Sequence, residues 1–390
     1  MKTYNVGVIG AGFMAKAHSM AYAAMPMFFW PAPGIPVRYS ICDVTADLAA
    51  DAASRLGFTK STDDWRTIVN DPDVDAVSIC TPNDSHAEIA IAAARNGKHI
   101  LCEKPLANTA AEAKAMVDAV VDNNVTNMLA FNYRHTPAVA LAREIIDSGE
   151  IGTVQTFRGT YLQDWSADAS TPLSWRFQSA IAGSGALGDI GTHVIDLARY
   201  LVGEINEVAA NLKTYIPQRP LSNSTVDKLG AAAPGVETAP MGAVDVDDEA
   251  SFAVRFADGA TGSIEATRNA WGRNNFITFE IHGSAGSIYF DYEHRDELRV
   301  AYASDRADRR GFRIIQTGPQ HPYGDHLWPI PALGIGYCET KIVETYEFFK
   351  AITDGTQASP NFADGLAICH IVEAIQRSHL TDGAWTHVTR

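Results

Sequence analysis

The sequence predicts an α/β Rossmann domain with a doubly wound parallel sheet, followed by an α+β domain with a large, open, mostly antiparallel sheet. In the first third of the chain, short apolar runs alternate with helical segments, which is typical of parallel sheets with helical crossovers. Farther along, strands follow one another in pairs joined by short turns. At 390 residues the chain is long enough for two domains. We place them at residues 1–132 and 133–390.

The first domain opens with a short buried strand at Val6, Val8 and Ile9, followed by a helix over residues 16–25. The alternation then continues with strands at 37–42, 76–79, 99–102 and 127–131 and helices at 46–57, 85–96 and 110–123. Residues 26–36 interrupt the first crossover with prolines and aromatic side chains, where a short connection is usual.

The second domain begins with a strand over residues 154–162 and a helix over 187–201. Two hairpins follow, in which 250–256 pairs with 261–267 and 276–282 pairs with 287–292. Helices on one side of such a sheet leave its other face bare. We expect that face to form a subunit interface and the protein to be a homo-oligomer.

Residues 218–248 are rich in Pro, Gly, Ala and Ser and show no period, which predicts a long loop, either mobile or an arm onto a neighbouring subunit. Its acidic end contains Asp245, Asp247, Asp248 and Glu249. These carboxylates admit two interpretations, a cation site or a solvated run, and a solvated run is the commoner use of clustered charge.

Composition excludes several classes of function. The formal net charge of −15 argues against nucleic acid or an anionic membrane as a partner, since both favour a basic face. No stretch approaches the length of a membrane span, and the N-terminus is a core strand rather than a signal peptide. The five cysteines form no C-x-x-C pair, which favours a reducing, cytoplasmic location.

The turn after the first strand predicts a dinucleotide site. Gly10, Gly12 and Ala15 occupy the positions of a G-x-G-x-x-[G/A] motif, with Phe13 and Met14 in the same turn. The first glycine makes a tight turn, the second admits a pyrophosphate, and the small third residue lets helix pack on strand. An ordinary strand-turn-helix is the alternative, but the position between a strand and a helix favours the cofactor.

Asp43 ends the second strand, where an acidic side chain accepts hydrogen bonds from the adenine-ribose hydroxyls and repels a 2′-phosphate. Val44 and Thr45 follow it, so no cation stands ready for such a phosphate. The sequence therefore predicts NAD rather than NADP. A capping role for Asp43 at the next helix is compatible with this interpretation.

Two further loops leave the carboxyl ends of parallel strands, where ligands bind in doubly wound sheets. Glu103, Lys104 and Pro105 follow one strand, so we expect Lys104 in the crevice rather than on the outer surface. The loop after the preceding strand contains Thr81 and Asn83, which we assign to the nicotinamide ribose. His86 is either a further cofactor contact or merely the start of a helix.

Asp189 and His193 are four residues apart in a helix of the second domain and so lie on one face of it. A carboxylate beside histidine is a common way to orient a general base near neutral pH. A metal half-site and a structural salt link are the alternatives. No third ligand at a diagnostic spacing supports a metal.

Together, these segments resemble the Gfo/Idh/MocA family of nicotinamide-dependent oxidoreductases. The matching motifs run in family order along nearly the whole chain: Gly10-x-Gly12-x-x-Ala15, Thr81-Pro82-Asn83 with His86, Glu103-Lys104-Pro105, Asn132-Tyr133-Arg134, Trp175-Arg176, Gly185-Ala186-Leu187-x-Asp189-Ile190-Gly191-Thr192-His193 and Asp364-Gly365. The resemblance implies an NAD-binding Rossmann domain, an α+β domain that assembles dimers or tetramers through its sheet, and a catalytic set of Lys104, Asp189 and His193.

The resemblance also guides the assignment of the remaining site residues. We expect Glu103, Asn132, Trp175 and Arg176 to join the cofactor site. The substrate contacts that we expect, besides the catalytic set, are Tyr133, Arg134, Trp165 and Thr192. We expect no metal.

Family members oxidise secondary hydroxyls of sugars and cyclitols or catalyse the reverse reaction. Residues 26–36, 161–165 and 321–337 resemble the branch that oxidises the anhydrosugar levoglucosan. The expected activity is therefore hydride transfer to NAD from a cyclic sugar or anhydrosugar, giving the keto sugar. Dehydrogenases of myo-inositol, other cyclitols or aldoses are close alternatives. A non-catalytic NAD-binding sugar sensor is the alternative from another class, although such regulators have lost the lysine that this chain retains.

Overall fold

The computed structural model describes residues 1–221 and 239–389. The chain divides into two compact units, Met1–Thr136 with Gly318–Cys369, and Pro137–Thr317 with the chain from His370 onward. The sequence-based division at residue 132 assigned residues 318–369 to the second domain, whereas they belong to the first unit. The reason is apolar packing, because Ile342, Val343 and Phe349 are buried in the same core as Val6 and Val8.

The first unit begins with strands that alternate with helices. The strands are β1 (Thr3–Ile9), β2 (Ile35–Cys42), β3 (Lys60–Thr62), β4 (Ala76–Ile79), β5 (His99–Cys102) and β6 (Asn127–Leu129). The helices are α1 (Phe13–Phe28), α2 (Ala46–Leu56), α3 (Trp65–Asn70), α4 (His86–Arg95) and α5 (Ala110–Asp122). Every neighbouring pair is parallel, in the order β3-β2-β1-β4-β5-β6, which confirms the doubly wound sheet. The strand order reverses between β1 and β4, and ligands bind beyond such a switch point.

The sequence missed two short elements, β3 and α3, and ended α1 too early. Helix α1 runs through Pro26, which loses one main-chain hydrogen bond near the helix end. Burial of Met25 and Phe29 accompanies this extension, and the Phe29 ring stacks on Tyr346 with ring centroids 4.1 Å apart. Phe28 and Phe29 of the aromatic insertion therefore pack with the apolar core of the first unit, whereas Trp30 is exposed.

The second unit is built around a nine-stranded sheet. Its elements up to residue 317 are α6 (Pro137–Asp147), β7 (Val154–Leu162), α7 (Ser179–Ala182), α8 (Thr192–Leu201), β8 (Ile205–Lys213), β9 (Gln218–Pro220), β10 (Met241–Ala243), β11 (Glu249–Phe256), β12 (Thr261–Thr267), β13 (Phe276–Gly283), β14 (Gly286–Asp291), β15 (Glu297–Tyr302) and β16 (Arg313–Gln316). The chain continues with α9 (Gly324–Leu327), α10 (Cys338–Asp354), α11 (Phe362–Leu380) and β17 (Thr386–His387).

The strand order of this sheet is β16-β15-β14-β13-β7-β12-β11-β8-β17. Only the central pair of β7 and β12 is parallel, which confirms a mostly antiparallel sheet, and both hairpins form as predicted. Helix α8 packs closely on β7, since a Cβ added to Gly159 would lie 2.4 Å from a methyl carbon of Val194. This packing fixes the start of α8 against the middle of the sheet.

The prediction of an unstructured loop over residues 218–248 is wrong at its two ends. Strands β9 and β10 pair antiparallel, with Gln218 opposite Ala243 and Pro220 opposite Met241. Residues 222–238 lie outside the described part of the chain. Among the described residues, no helix is both long and apolar enough to cross a membrane.

Candidate active site

The turn after β1 requires glycine at its first position. Gly10 has φ +90°, and a Cβ there would lie 2.6 Å from the carbonyl oxygen of Cys80. Its N–H donates to the carbonyl of Cys42, 2.9 Å away at the end of β2. By contrast, a Cβ on Gly12 would meet no atom within 4 Å, and the neighbouring Phe13 is exposed. The backbone at Gly12 is therefore open to the approach of a ligand.

The start of α1 lacks the side-chain cap that closes α2, α3 and α5 of the same unit. Thr45 caps α2, Asp64 caps α3, and Thr109 forms a reciprocal capping box with Glu112 at α5. Gly12, at the start of α1, supplies no side-chain cap, and the first turn contains no acidic residue. Uncapped amides at a helix N-terminus bind anions such as a pyrophosphate.

Asp43 connects the end of β2 to the glycine turn. One carboxylate oxygen accepts from the N–H of Ala11 at 3.0 Å, and the other accepts from the N–H of Val44 at 2.6 Å. The residue is partly exposed. Each carboxylate oxygen has a further lone pair for a ribose hydroxyl. This geometry fits a nucleotide whose ribose lies beside Asp43.

The side chain of His86 contacts the backbone of the loop after β4. This side chain is fully buried, and its two ring nitrogens lie 3.0 Å from the carbonyl of Thr81 and 2.9 Å from the carbonyl of Pro105. Burial lowers the pKa of His86 although the backbone hydrogen bonds oppose the shift. A direct contact of His86 with the cofactor stays a prediction. His86 joins the loop that bears Thr81 and Asn83 to the one that bears Lys104.

Glu103 is also buried. Its Oε1 lies 2.9 Å from His18 Nε2 and accepts from Lys341 Nζ at 2.8 Å, while Oε2 accepts from the N–H of Lys104 at 3.3 Å. Lys341 also donates to Glu344 at 3.0 Å. We call these four buried side chains, His18, Glu103, Lys341 and Glu344, the lysine-turn network. Glu103 thus positions the turn that bears Lys104, and its expected contact with the cofactor stays a prediction.

The pKa values of the two acids in this network are shifted in opposite directions. Burial alone favours protonated Glu103, but the Lys341 ammonium and the His18 contact outweigh it and lower the pKa of Glu103. Burial raises the pKa of Glu344 to about 7, against the opposing charge of Lys341.

Lys104 itself is half-buried at the carboxyl end of β5, and its peptide bond to Pro105 is cis.

The Asn132-Tyr133-Arg134 segment forms a 3₁₀ turn after β6, and all three side chains are buried. Asn132 donates to Thr340 at 2.7 Å, and Arg134 donates to Ser359 at 3.4 Å. The Tyr133 ring lies 6.3 Å from the ring of Tyr337. These contacts fix the turn within the first unit, and a direct contact of the three residues with cofactor or substrate stays a prediction.

In the second unit, Asp189 lies in a π-helical turn, Leu187–Gly191, that leads directly into α8. His193 is in the first turn of α8, is 6% exposed, and its ring lies 5.9 Å from that of Tyr161. Asp189 is partly exposed, and its Oδ2 lies 3.4 Å from Nη1 of Arg268. Single π-helical turns occur frequently at functional sites.

Thr192 contacts the turn that carries Asp189. Its hydroxyl donates to the carbonyl of Gly188 at 2.8 Å, and the side chain is buried. A threonine with this bond uses its hydroxyl hydrogen within its own helix. Thr192 therefore stabilises the turn that carries Asp189, and its expected substrate contact stays a prediction.

The remaining expected residues lie on the segment before α7. Arg176 lies over the ring of Trp175 at 4.3 Å, and burial lowers the pKa of Arg176 while the charge of Asp189 opposes this shift. Trp165 donates from its indole N–H to Gln163 at 3.0 Å, and its ring lies 5.7 Å from Phe177. Arg176 and Asp189 thus belong to one electrostatic cluster, while the cofactor and substrate contacts remain predictions.

The acidic run at residues 245–249 is solvated only in part, since Asp245 is exposed whereas Asp247 and Asp248 are buried. Asp245 accepts from the N–H and hydroxyl of Ser179, both at 2.7 Å. Asp248 accepts from the N–H groups of Tyr215 and Ile216 and is fully buried. These carboxylates cap backbone amides. Within the described ranges, no group of three or more His, Cys, Asp or Glu side chains could hold a metal ion.

Comparison with protein families assigns both parts of the chain. Residues 4–131 match the oxidoreductase family with an NAD-binding Rossmann fold, and residues 139–289 match the GFO/IDH/MocA C-terminal domain.

Comparison with individual proteins extends this match to the full length. The chain is 64% identical over 388 residues to levoglucosan dehydrogenase of Pseudarthrobacter phenanthrenivorans, covering 100% of this chain and 99% of that protein. It is 29% identical to myo-inositol 2-dehydrogenase of Thermotoga maritima, covering 78% and 79%. A solved structure of levoglucosan dehydrogenase in complex with NADH and levoglucosan superposes with a TM-score of 0.93, at 62% identity and complete coverage of both chains.

Proposed function

Because the chain belongs to the Gfo/Idh/MocA family of NAD-binding oxidoreductases, we propose that it oxidises levoglucosan, or a closely related cyclic sugar, to the keto sugar. The observation that carries the proposal is the 64% identity to levoglucosan dehydrogenase along the complete chain. The local chemistry agrees with an alcohol dehydrogenase, since one unit presents a lysine at a strand end and the other a carboxylate-histidine pair.

In the proposed reaction, His193 accepts the proton of one secondary hydroxyl. Lys104 donates a hydrogen bond to the same oxygen and stabilises the negative charge that develops there. Asp189 orients the imidazole of His193 and stabilises its cation. NAD, when bound, supplies the acceptor for the hydride that leaves the carbon. Tyr133 and Trp165 are proposed to contact the sugar ring.

The cofactor is proposed to be held by the amides of the glycine turn and by Asp43. Gly10 fixes the turn, and the open backbone at Gly12 admits the pyrophosphate. The carboxylate of Asp43 accepts hydrogen bonds from the ribose hydroxyls and repels a 2′-phosphate. Thr81 and Asn83 are proposed to hold the nicotinamide ribose.

The protein is proposed to work in the cytoplasm as a homo-oligomer. Strand β7 supports an interface on the sheet, because Phe157 and Tyr161 on one face are buried whereas Arg158 on the other is exposed. Light scattering should give the mass of a dimer or tetramer. A monomer at micromolar concentration would exclude an interface through this sheet.

A panel of sugars tests the activity. Production of NADH at 340 nm should be fastest with levoglucosan, and replacing NAD with NADP should slow it. Faster turnover of myo-inositol would favour the cyclitol alternative, which the similarity to myo-inositol 2-dehydrogenase raises. Tight NAD binding without turnover of any sugar would overturn the proposal in favour of a sensor.

A further inference from the structure

Asp247 is the member of the acidic run that holds the catalytic turn. Its carboxylate accepts from the N–H of Gly185 at 2.8 Å and of Leu187 at 2.7 Å, and its own carbonyl accepts from the N–H of Ala186 at 2.9 Å. A Cβ on Gly185 would lie 1.7 Å from that carbonyl oxygen, so only glycine allows this approach. The backbone just before Asp189 is therefore clamped by Asp247.

Arg268, directly after β12, connects the same clamp to the carboxylate of Asp189. The side chain is 0% exposed. Its Nη1 donates to Asp189 Oδ2 and to the carbonyl of Arg176, both at 3.4 Å, and its Nη2 donates to the carbonyl of Asp247 at 3.5 Å. A planar guanidinium spans several acceptors in this way, whereas one ammonium group cannot do so with the same geometry.

We propose that Arg268 is a positioning residue for the dehydrogenase reaction, which orients Asp189 through direct contact and thereby sets the proton affinity of His193. Its burial excludes a role as a surface charge. Its contacts run to the turn that bears Asp189 and to the segment that clamps this turn. Arg268 therefore acts on the reaction through Asp189.

The charges around Asp189 make this position electrostatically specific. Arg268 faces it from the end of β12, Arg176 from the 3₁₀ turn Trp175–Phe177, and His193 lies one helical turn away on α8. Behind them, Arg268 faces Asp247, and Arg219 on β9 faces Asp248, Asp168 and Arg268. Of these arginines, Arg268 is the one whose guanidinium contacts the carboxylate of Asp189. Removing the guanidinium of Arg268 therefore leaves the negative charge of Asp189 less compensated.

The expected consequence is a change in the pH dependence of the reaction. Without the positive charge of Arg268, the imidazolium form of His193 is favoured, so a higher pH is needed to obtain the neutral base. The guanidinium and the imidazolium carry like charges, and a nearby charge shifts a pKa by about one unit or more. Arg268→Met should therefore move the acidic limb of kcat/KM upward by about one pH unit.

Arg219 provides a matched control. It is also fully buried and lies over the ring of Phe177, as Arg268 does, but its hydrogen bonds go to the carbonyls of Ser166, Asp168 and Thr171. Arg219→Met and Arg219→Lys measure how the loss of a buried guanidinium alone affects kcat, since these three carbonyls, and not Asp189, accept the hydrogen bonds of Arg219. They should leave the acidic limb in place.

The experiment compares Arg268→Met and Arg268→Lys with the same two changes at Arg219. We expect Arg268→Met to lower kcat by about 10- to 100-fold, a part of the typical contribution of a positioned acid–base group, with little change in the affinity for NADH. Arg268→Lys keeps the charge and should restore the pH limb but not the full kcat. Equal kcat losses and equal pH profiles at the two arginines would show a merely structural role.

This inference rests on the proposed function, so the experiment includes a readout without substrate. NMR titration of the His193 imidazole, assigned with His193→Gln, should show a higher midpoint in Arg268→Met than in the wild type. If the wild type turns over no sugar but this shift appears, the proposed function fails and the coupling of Arg268 to His193 stands. An unchanged midpoint overturns the coupling. If Arg268→Met does not fold, equal kcat values in Arg268→Lys and Arg219→Lys overturn it.

Discussion

The turn that carries Lys104 and the turn that carries Asp189 are both held by buried charges, but in different ways. Behind Lys104, two glutamates share one ammonium, that of Lys341. Behind Asp189, the cations are arginines rather than a single lysine, and several contacts go to backbone groups. Arginine stays protonated at every relevant pH, whereas a buried surplus carboxylate titrates. The stability of the first region should therefore depend on pH near neutrality through the lysine-turn network. In the second region, the pH dependence should come from His193 itself.

The largest expected effect tests whether the first turn presents a catalytic group at all. Lys104→Met should lower kcat by about 10²- to 10⁴-fold, because a positioned proton donor is lost from the transition state. The affinity for NADH should change little. Steady-state kinetics with levoglucosan and a fluorescence titration with NADH measure the two quantities.

Lys114 on α5 is the control for this substitution, since it is exposed and pairs only with Asp118 in the next helical turn. Lys114→Met should retain wild-type kinetics. Near-normal turnover in Lys104→Met would remove the lysine from the mechanism and leave the second region as the sole source of acid–base chemistry.

The next effect concerns stability. Lys341→Met leaves Glu103 buried without its cation and should destabilise the protein by about 3–5 kcal/mol. Urea unfolding followed by circular dichroism measures the loss. Lys350→Met, at an exposed lysine on the same helix, should leave the free energy of unfolding nearly unchanged. Adding Glu103→Gln to Lys341→Met should recover part of the loss, and no recovery would mean that Lys341 does not serve Glu103.

A smaller effect is the pH dependence that Glu344 confers on the first region. Its pKa of about 7 lies above the unfolded value of 4.5, so the folded state binds more protons between these limits. Its contribution to stability is complete below pH 4.5 and is lost as pH rises towards 7. The wild type minus Glu344→Gln difference in unfolding free energy should fall over this window by up to about 1.4 kcal/mol per pH unit. A flat difference would refute a titrating surplus carboxylate.

The buried charged groups behind the two turns show which features the sequence could predict and which it could not. The glycine turn, the Lys104 turn and both hairpins are local, so spacing and turn residues predicted them. Arg268 is 79 positions from Asp189, and Lys341 is 238 positions from Glu103. No periodicity connects such pairs. The same reason explains why the sequence does not reveal the buried partners of Glu103, His86 and Thr192. Their motif positions were visible, but the buried partners that occupy their polar atoms were not.

The smallest expected effect concerns the cofactor end of the first region, where one partly exposed carboxylate holds the turn. Asp43→Ser should raise kcat/KM with NADP relative to NAD by about tenfold, a free-energy difference of about 1.4 kcal/mol, because the repulsion of a 2′-phosphate is removed. Parallel assays with both cofactors measure the ratio. An unchanged preference would mean that another residue distinguishes the ribose.

The most direct test of the account is a crystal structure of the protein with NADH and levoglucosan bound. We expect Lys104 Nζ and His193 Nε2 within hydrogen-bonding distance of one sugar hydroxyl oxygen, with the carbon that bears it facing C4 of the nicotinamide. A sugar that contacts only one of these two side chains, or that lies away from the nicotinamide, would contradict the central claim that both regions act on a single alcohol.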